Sequence, residues 1–331
     1  MDAGASQDGL AAVGRGAVCV QLYLVTGGAG FIGSHIVLRL RARGDRVRIA
    51  DDFSSGRREN VPPGVDLVEG DLADPAVAAR AVSGCDFVIH QAAIPSVPRS
   101  VKDPVKSHRA NVDGTLNVLV AARDARVKRL VFAGSSSVYG DIAVLPKRED
   151  MRPSPLSPYA LQKLVGEQYC QLFTRLYGLE TVVTRYFNVF GPRQQPGSPY
   201  SGVISLFIEA LAAGRGPTVH GDGRQTRDFT FVGDVVSGVL QCCEAPGIAG
   251  EVINVAAGGR ISLLELIRSL QMILETAAEP TFGPPREGDV RDSQADIGKA
   301  RKLLGFSPSV PFDDGLRQTV AWFRSQPAAR A

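Results

Sequence analysis

The chain has 331 residues, 44% of them hydrophobic and 21% charged, and a formal net charge of +3. That length corresponds to about two domains with sizeable cores, and the composition is that of an ordinary globular protein. So small a charge excess gives no electrostatic ground for a nucleic-acid partner, and no apolar run reaches the ~18 residues of a membrane span.

Residues 1–17 are rich in Gly and Ala and lack the basic-then-apolar order of a signal peptide, so they are expected to form a disordered extension. Residues 18–25 make an apolar run of strand length, followed by TGGAGFIG (26–33) and a helical pattern to about residue 43. Gly44-Asp45 closes that helix, and a second strand over 46–50 ends at Asp51-Asp52, completing one β-α-β unit. A strand over 65–68 leads to Gly70-Asp71-Leu72, and Asp74-Pro75 opens a helix as N-cap and first-turn proline. Further strands are predicted over 87–89, 129–133 and 181–186. Helices are predicted over 104–124 and through the segment that carries Tyr159. After Asn188 the alternation gives way to Gly- and Pro-rich loops, with helices near 203–213 and 234–244 and strands near 218–220 and 252–255. Ser262 with Glu265 forms a capping box, and two helical segments follow Pro284-Pro285.

Strands alternating with helices predict an α/β fold: a Rossmann-like, doubly wound parallel sheet covered on both faces. The sheet domain spans 18–187, with 229–257 returning to it, and residues 188–228 and 258–326 form a smaller C-terminal α/β domain. The cysteines (Cys19, Cys85, Cys170, Cys242, Cys243) show no metal-ligand spacing, as expected of reduced, buried thiols in a cytoplasmic protein.

Gly27, Gly30 and Gly33 stand between a strand and a helix. There they allow a tight turn, close approach of a diphosphate to backbone N–H groups, and close packing of helix on strand. The spacing is Gly-x-x-Gly-x-x-Gly, which departs from the usual dinucleotide fingerprint, yet its placement before a strand that ends in Asp51 points to a dinucleotide. An acidic residue there binds both ribose hydroxyls and repels a 2′-phosphate, which selects NAD over NADP. Tyr159 and Lys163 stand four apart, on one face of a helix, so the ammonium is expected to lower the phenol pKa and make it a proton acceptor.

TGGAGFIG (26–33), Gly70-Asp71-Leu72, HQAA (90–93), SSSVYG (135–140), YALQK (159–163), RYFNVFGPRQ (185–194), RDF (227–229) and REGDVRDS (286–293) together carry a resemblance. Over roughly residues 20–325 the chain resembles an extended short-chain dehydrogenase/reductase of the nucleotide-sugar 4-epimerase type, acting on UDP-glucose or UDP-N-acetylglucosamine. The resemblance implies that Ser135 and Tyr159 hold the sugar 4-hydroxyl while Lys163 holds the nicotinamide ribose. Phe31, Ile32, Asp71, Leu72, Ala92, Ala93, Asn111 and Tyr186 would complete the NAD site. The UDP-sugar would lie against Ser136, Ser137, Asn188, Val203, His220, Arg227, Arg286 and Asp289. Ser293 resembles the position where a bulky tyrosine excludes N-acetylated sugars and a small residue admits them. Homodimerisation through the helices at about 104–124 and 157–177 is implied as well.

Relatives that eliminate water or decarboxylate carry a carboxyl group just after the catalytic Ser/Thr or just before Val-Tyr-Gly, where this chain has Ser136 and Ser137. A UDP-glucuronate 4-epimerase stays open as the alternative, as does another epimerase or dehydratase of nucleotide sugars. A reading of another class is a non-catalytic NAD- or RNA-binding scaffold, against which the intact Ser135, Tyr159 and Lys163 argue.

Overall fold

The computed structural model describes residues 20–195, 202–284 and 290–326. Strands β1 (Leu22–Thr26), β2 (Arg46–Asp51), β3 (Asp66–Glu69), β4 (Phe87–His90), β5 (Arg129–Ser135) and β6 (Thr181–Tyr186) precede four short ones. These are β7 (Val189–Phe190), β8 (Thr218–His220), β9 (Thr226–Arg227) and β10 (Thr230–Phe231), after which come β11 (Val252–Val255), β12 (Ile261–Ser262) and β13 (Thr281–Gly283). A seven-stranded sheet runs in the order β11-β6-β5-β4-β1-β2-β3, every pair parallel. The short strands pair as β10-β7, β12-β9 and β13-β8.

The period of two in a strand sets up two separate cores. Leu22 and Leu24 of β1 face one apolar cluster, whereas Tyr23 and Val25 face the other. Leu130 and Phe132 of β5 divide from Val131 and Ala133 in the same way. The first cluster is closed by α2 (Pro75–Val82), α5 (Gly114–Asp124) and α6 (Pro158–Tyr177). The second is closed by α1 (Phe31–Ala42) and α8 (Val232–Glu244), and it continues into the C-terminal part through Phe190, Phe229, Phe231 and Leu316. That part adds α7 (Val203–Ala212), α9 (Leu263–Leu274), α10 (Gly298–Leu304) and α11 (Phe312–Ser325). The capping box of Ser262 and Glu265 is present at the start of α9, and Asp74 caps α2 through the N–H of Ala76.

The helix expected over 104–124 is present: α4 (Pro104–His108), a wider helical turn over Arg109–Asp113 and α5 follow one another without a break, and α3 (Val97–Lys102), capped by Ser96, precedes them. At the wider turn Thr115 Oγ1 donates to the Asn111 carbonyl, and the Asn111 side chain accepts from the Ile94 N–H. Cys85, Cys170, Cys242 and Cys243 are buried free thiols. Among the described residues no helix is long and apolar enough to cross a membrane.

Candidate active site

Strand order reverses direction between β1 and β4, and in such a sheet the crevice lies at the carboxyl ends of the strands on either side. A cavity of about 920 Å³ occupies that place. Its floor is the glycine turn. Gly27 has φ +64°, and a Cβ there would come within 2.9 Å of the Ala92 backbone. A Cβ at Gly33 would strike the Gly27 carbonyl oxygen, so α1 rests directly on the turn. Gly30 caps α1 without a side-chain acceptor, which leaves the first-turn N–H groups to an anion.

Asp51, at the end of β2, is buried, and its carboxylate accepts from the N–H of Ala29 and of Phe53 at 2.9 Å each. Burial raises its pKa above the usual value, those two bonds opposing. Each oxygen keeps a lone pair for a ribose hydroxyl. Arg57 and Arg58 are turned to Glu59 and Glu69, at 2.6 Å in both pairs, and are not part of the cavity wall. Asp71, Leu72, Ala92 and Ala93 line the same end, with Phe31 and Ile32. Tyr186 closes it from β6, its hydroxyl accepting from Gln91 Nε2 at 3.0 Å.

Tyr159 lies in the first turn of α6, where Ser157 caps the helix and the Tyr159 N–H donates to Ser100 Oγ of α3 at 3.0 Å. One turn on, Lys163 is 4% exposed; its Nζ donates to the Ala133 carbonyl at 2.8 Å and stands 4.9 Å from the Phe132 ring centre. Burial pushes Lys163 down to about 8. It also raises the Tyr159 phenol above its ordinary value, with the Ser135 hydrogen bond opposing. This corrects the expectation drawn from helical spacing: among the chain's own groups the one that favours the phenolate is Ser135, the Lys163 Nζ pointing to the Ala133 carbonyl. Ser135 ends β5, and its Oγ accepts from the N–H and the hydroxyl of Ser137 at 3.2 and 2.8 Å. Its own proton is thereby left for the phenol oxygen, the polarity that stabilises a phenolate.

Ser136, Ser137, Asn188, Arg227 and Ser293 stand in the wall of the same cavity. Asn188 takes φ +31°, a conformation rarely adopted by residues with a side chain, and its Nδ2 donates to the Asp228 carbonyl at 3.4 Å. Arg227 Nη1 donates to the carbonyls of Thr226 and Arg291, at 2.9 and 3.0 Å. Three expected residues lie elsewhere. Asn111 sits one layer behind, accepting from the Ile94 N–H at 2.7 Å and donating to Gln162 Oε1 at 2.8 Å. It shapes the Ile94 loop from outside the wall because its side chain is taken up by the Ile94 backbone and Gln162 of α6. Val203 opens α7 just past Gly202, and His220 donates from Nδ1 to the Pro284 carbonyl at 3.2 Å; neither borders the cavity. Arg286 and Asp289 lie outside the described residues. Sequence reading gave no role to Lys147, Gln91 or Asp292 in the wall; Gln91 and Asp292 fall within HQAA and REGDVRDS, whereas Lys147 lies outside every quoted motif.

A model of the NAD dependent epimerase/dehydratase family matches residues 23–256. The chain is 41% identical over 310 residues to the UDP-glucose 4-epimerase of Mycolicibacterium smegmatis, covering 92% of this chain and 98% of that one. A solved UDP-glucose 4-epimerase with UDP-glucose from Thermotoga maritima has a similar fold, with TM-score 0.88 and 37% identity over 92% of this chain and 98% of that one. So does the UDP-N-acetylglucosamine 4-epimerase from Methanobrevibacter ruminantium M1 in complex with UDP-N-acetylmuramic acid, with TM-score 0.89 and 38% identity over 93% and 99%.

Proposed function

The chain belongs to the NAD dependent epimerase/dehydratase family, and on that premise we propose that it inverts C4 of a UDP-hexose through a transient 4-keto sugar. One arrangement carries the reading. Ser135, Tyr159 and Lys163 share a cavity with the glycine turn and Asp51, while the two side chains after Ser135 are hydroxyls.

The residues fit NAD: backbone N–H groups at the start of α1 for the diphosphate, Asp51 for the adenosine ribose, and Asp71 with Leu72 beyond it. When bound, NAD supplies the hydride acceptor and then the hydride donor, and is regenerated in each turnover. Tyr159, as the phenolate to which Ser135 donates, takes the proton of the 4-hydroxyl, and returns it when the opposite face is reduced. Lys163 holds the nicotinamide ribose and keeps a positive charge at the wall. Asn188 and Arg227 hold the substrate diphosphate, the arginine fork suiting paired phosphates. Ser136 and Ser137 offer no carboxyl group, so the 4-keto sugar is neither dehydrated nor decarboxylated with their help.

The test is to assay UDP-glucose, UDP-N-acetylglucosamine, UDP-glucuronate and dTDP-glucose side by side. Tyr159→Phe is expected to lower kcat by roughly 10²–10⁴-fold; near wild-type turnover in that variant would overturn the assignment. Ser293 leaves volume beside the sugar, so both acetylated and plain UDP-hexoses are expected to turn over. Ser293→Tyr should remove the acetylated pair selectively, read as the ratio of kcat/KM values, and an equal loss of both would count against it. Two copies of the chain are expected to pair along α6. The supporting observation is the exposed Leu161, Leu176 and Tyr177 on that helix, with the exposed Val101 and Val105 on α3 and α4, which pack against it.

A further inference from the structure

Lys147 stands outside every motif quoted above, yet its side chain borders the cavity and is 2% exposed. An ammonium has several N–H donors to satisfy, and a buried one is costly unless they are used. Among the described residues its Nζ donates to the Ile142 carbonyl alone. Burial lowers its pKa from the ordinary lysine value, and Asp141 is the carboxylate that opposes the shift. Donors therefore remain for whatever fills the cavity.

The backbone around it fixes which part of the cavity it faces. The Lys147 N–H donates to the Gln294 carbonyl at 2.7 Å and its carbonyl accepts from the Asp296 N–H at 2.9 Å, pairing Lys147 with Ala295 in parallel register. The bond to Gln294 sets the Lys147 backbone against the residue that follows Ser293, and the Lys147 and Ser293 residues both border the cavity. Ser136 and Ser137 complete that end with hydroxyls. A subsite for a sugar bearing hydroxyls alone is served by neutral groups such as these. A cation with unspent donors suits a stronger acceptor.

We propose that Lys147 is a specificity-determining residue of the sugar subsite, donating from its ammonium to a carbonyl or carboxylate oxygen carried as a substituent on the hexose. The group is either the acetamido carbonyl of an N-acetylated UDP-sugar or the carboxylate of a UDP-uronate. The inference rests on the reading that the cavity holds a UDP-sugar.

The experiment measures the affinities of UDP-glucose, UDP-N-acetylglucosamine and UDP-glucuronate by calorimetry on the NAD-loaded full chain, for wild type, Lys147→Met and Lys147→Arg. In Lys147→Met the affinity of one substituted ligand relative to UDP-glucose should fall by about 10-fold or more, the scale of one charge-assisted hydrogen bond. Lys147→Arg, which keeps a charged donor, should recover part of that ratio. The ligand that responds identifies the group recognised. Ratios unchanged within about threefold for both substituted ligands, or an equal loss of all three ligands, would overturn the proposal. Each ratio is internal to one variant, so a general loss of stability cancels. Epimerisation is assayed on the same samples: binding without turnover in the wild type defeats the proposed function while the ratios still decide the role of Lys147.

Discussion

His90 shows how a buried side chain can be read to the level of its protons. The ring is 1% exposed; Nε2 meets Thr115 Oγ1 at 3.0 Å and Nδ1 meets Thr26 Oγ1 at 2.7 Å. Thr115 already donates its proton to the Asn111 carbonyl, at 2.7 Å, so Nε2 must be the donor and Nδ1 the acceptor. Thr26 Oγ1 in turn accepts from the Ala92 N–H at 3.1 Å, and the chain of bonds ends at the loop that borders the glycine turn. Burial, with the Lys163 charge second, pushes His90 down to about 3. In the unfolded chain it titrates near 6.5. Between those values the unfolded state binds the extra proton, so stability falls as pH falls through that window and is unaffected by His90 above it. The expected slope reaches about 1.4 kcal/mol per pH unit. Denaturation of wild type and His90→Gln at stepped pH measures it, and the variant should show the flatter dependence. The helical spacing of Tyr159 and Lys163 was legible from sequence and the resemblance set Ser135 beside Tyr159, but that Ser135, and not Lys163, favours the phenolate depends on the packing of β5 against α6.

At the scale of elements, α6 carries more than Tyr159 and Lys163. Tyr159, Lys163 and Glu167 follow in steps of four, and Glu167 accepts from Arg185 of β6 at 2.6 and 3.0 Å. The side chains of this pair are only 4% and 2% exposed. The Arg185 guanidinium lies 4.6 Å from the centre of the Tyr139 ring, whose hydroxyl donates to Asn254 Oδ1 at 2.7 Å. One ion pair therefore ties together α6, β6, β11 and the turn that follows Ser135. Glu167→Ala leaves a buried guanidinium without its counter-charge and is expected to cost about 3–5 kcal/mol. Replacing both members by apolar residues of similar volume should cost less than the single change. Urea unfolding of the single and double variants decides between this and a merely additive outcome.

Across the whole molecule the two parts are stitched by Asp228. Its carboxylate, fully buried, accepts from the N–H groups of Ala257, Gly258 and Ala295 at 3.0–3.1 Å. The donors belong to two segments distant in sequence, 257–258 and 295, and Arg227 and Ser293 lie close in the chain to Asp228 and Ala295. Burial pushes Asp228 up to about 6, with the three donors opposing. Asp228→Ala leaves the N–H groups of Gly258 and Ala295 without this acceptor, each costing about 1–3 kcal/mol, while Ala257 keeps Thr230 Oγ1 at 3.2 Å. The expected result is a loss of several kcal/mol together with a raised KM for the UDP-sugar; unchanged stability with an unchanged KM would remove Asp228 from this role.

Much of the fold was readable from sequence because its signals are local. Alternating apolar runs, the glycine turn, the caps at Asp74 and Ser262, and the step from Tyr159 to Lys163 each depend on residues within a few positions of one another. The parallel sheet followed from the alternation of strands with helices, and the dinucleotide end of the cavity followed from the glycines and Asp51. What required the tertiary structure joins residues far apart in the chain: Lys147 beside Ala295, Glu167 with Arg185, Asp228 with Ala257 and Ala295, and Asn111 withdrawn behind the wall. Local spacing sets which segment is helix or strand and which face it turns inward. Which side chains then meet, and which are left with donors to spare, is decided when distant segments pack.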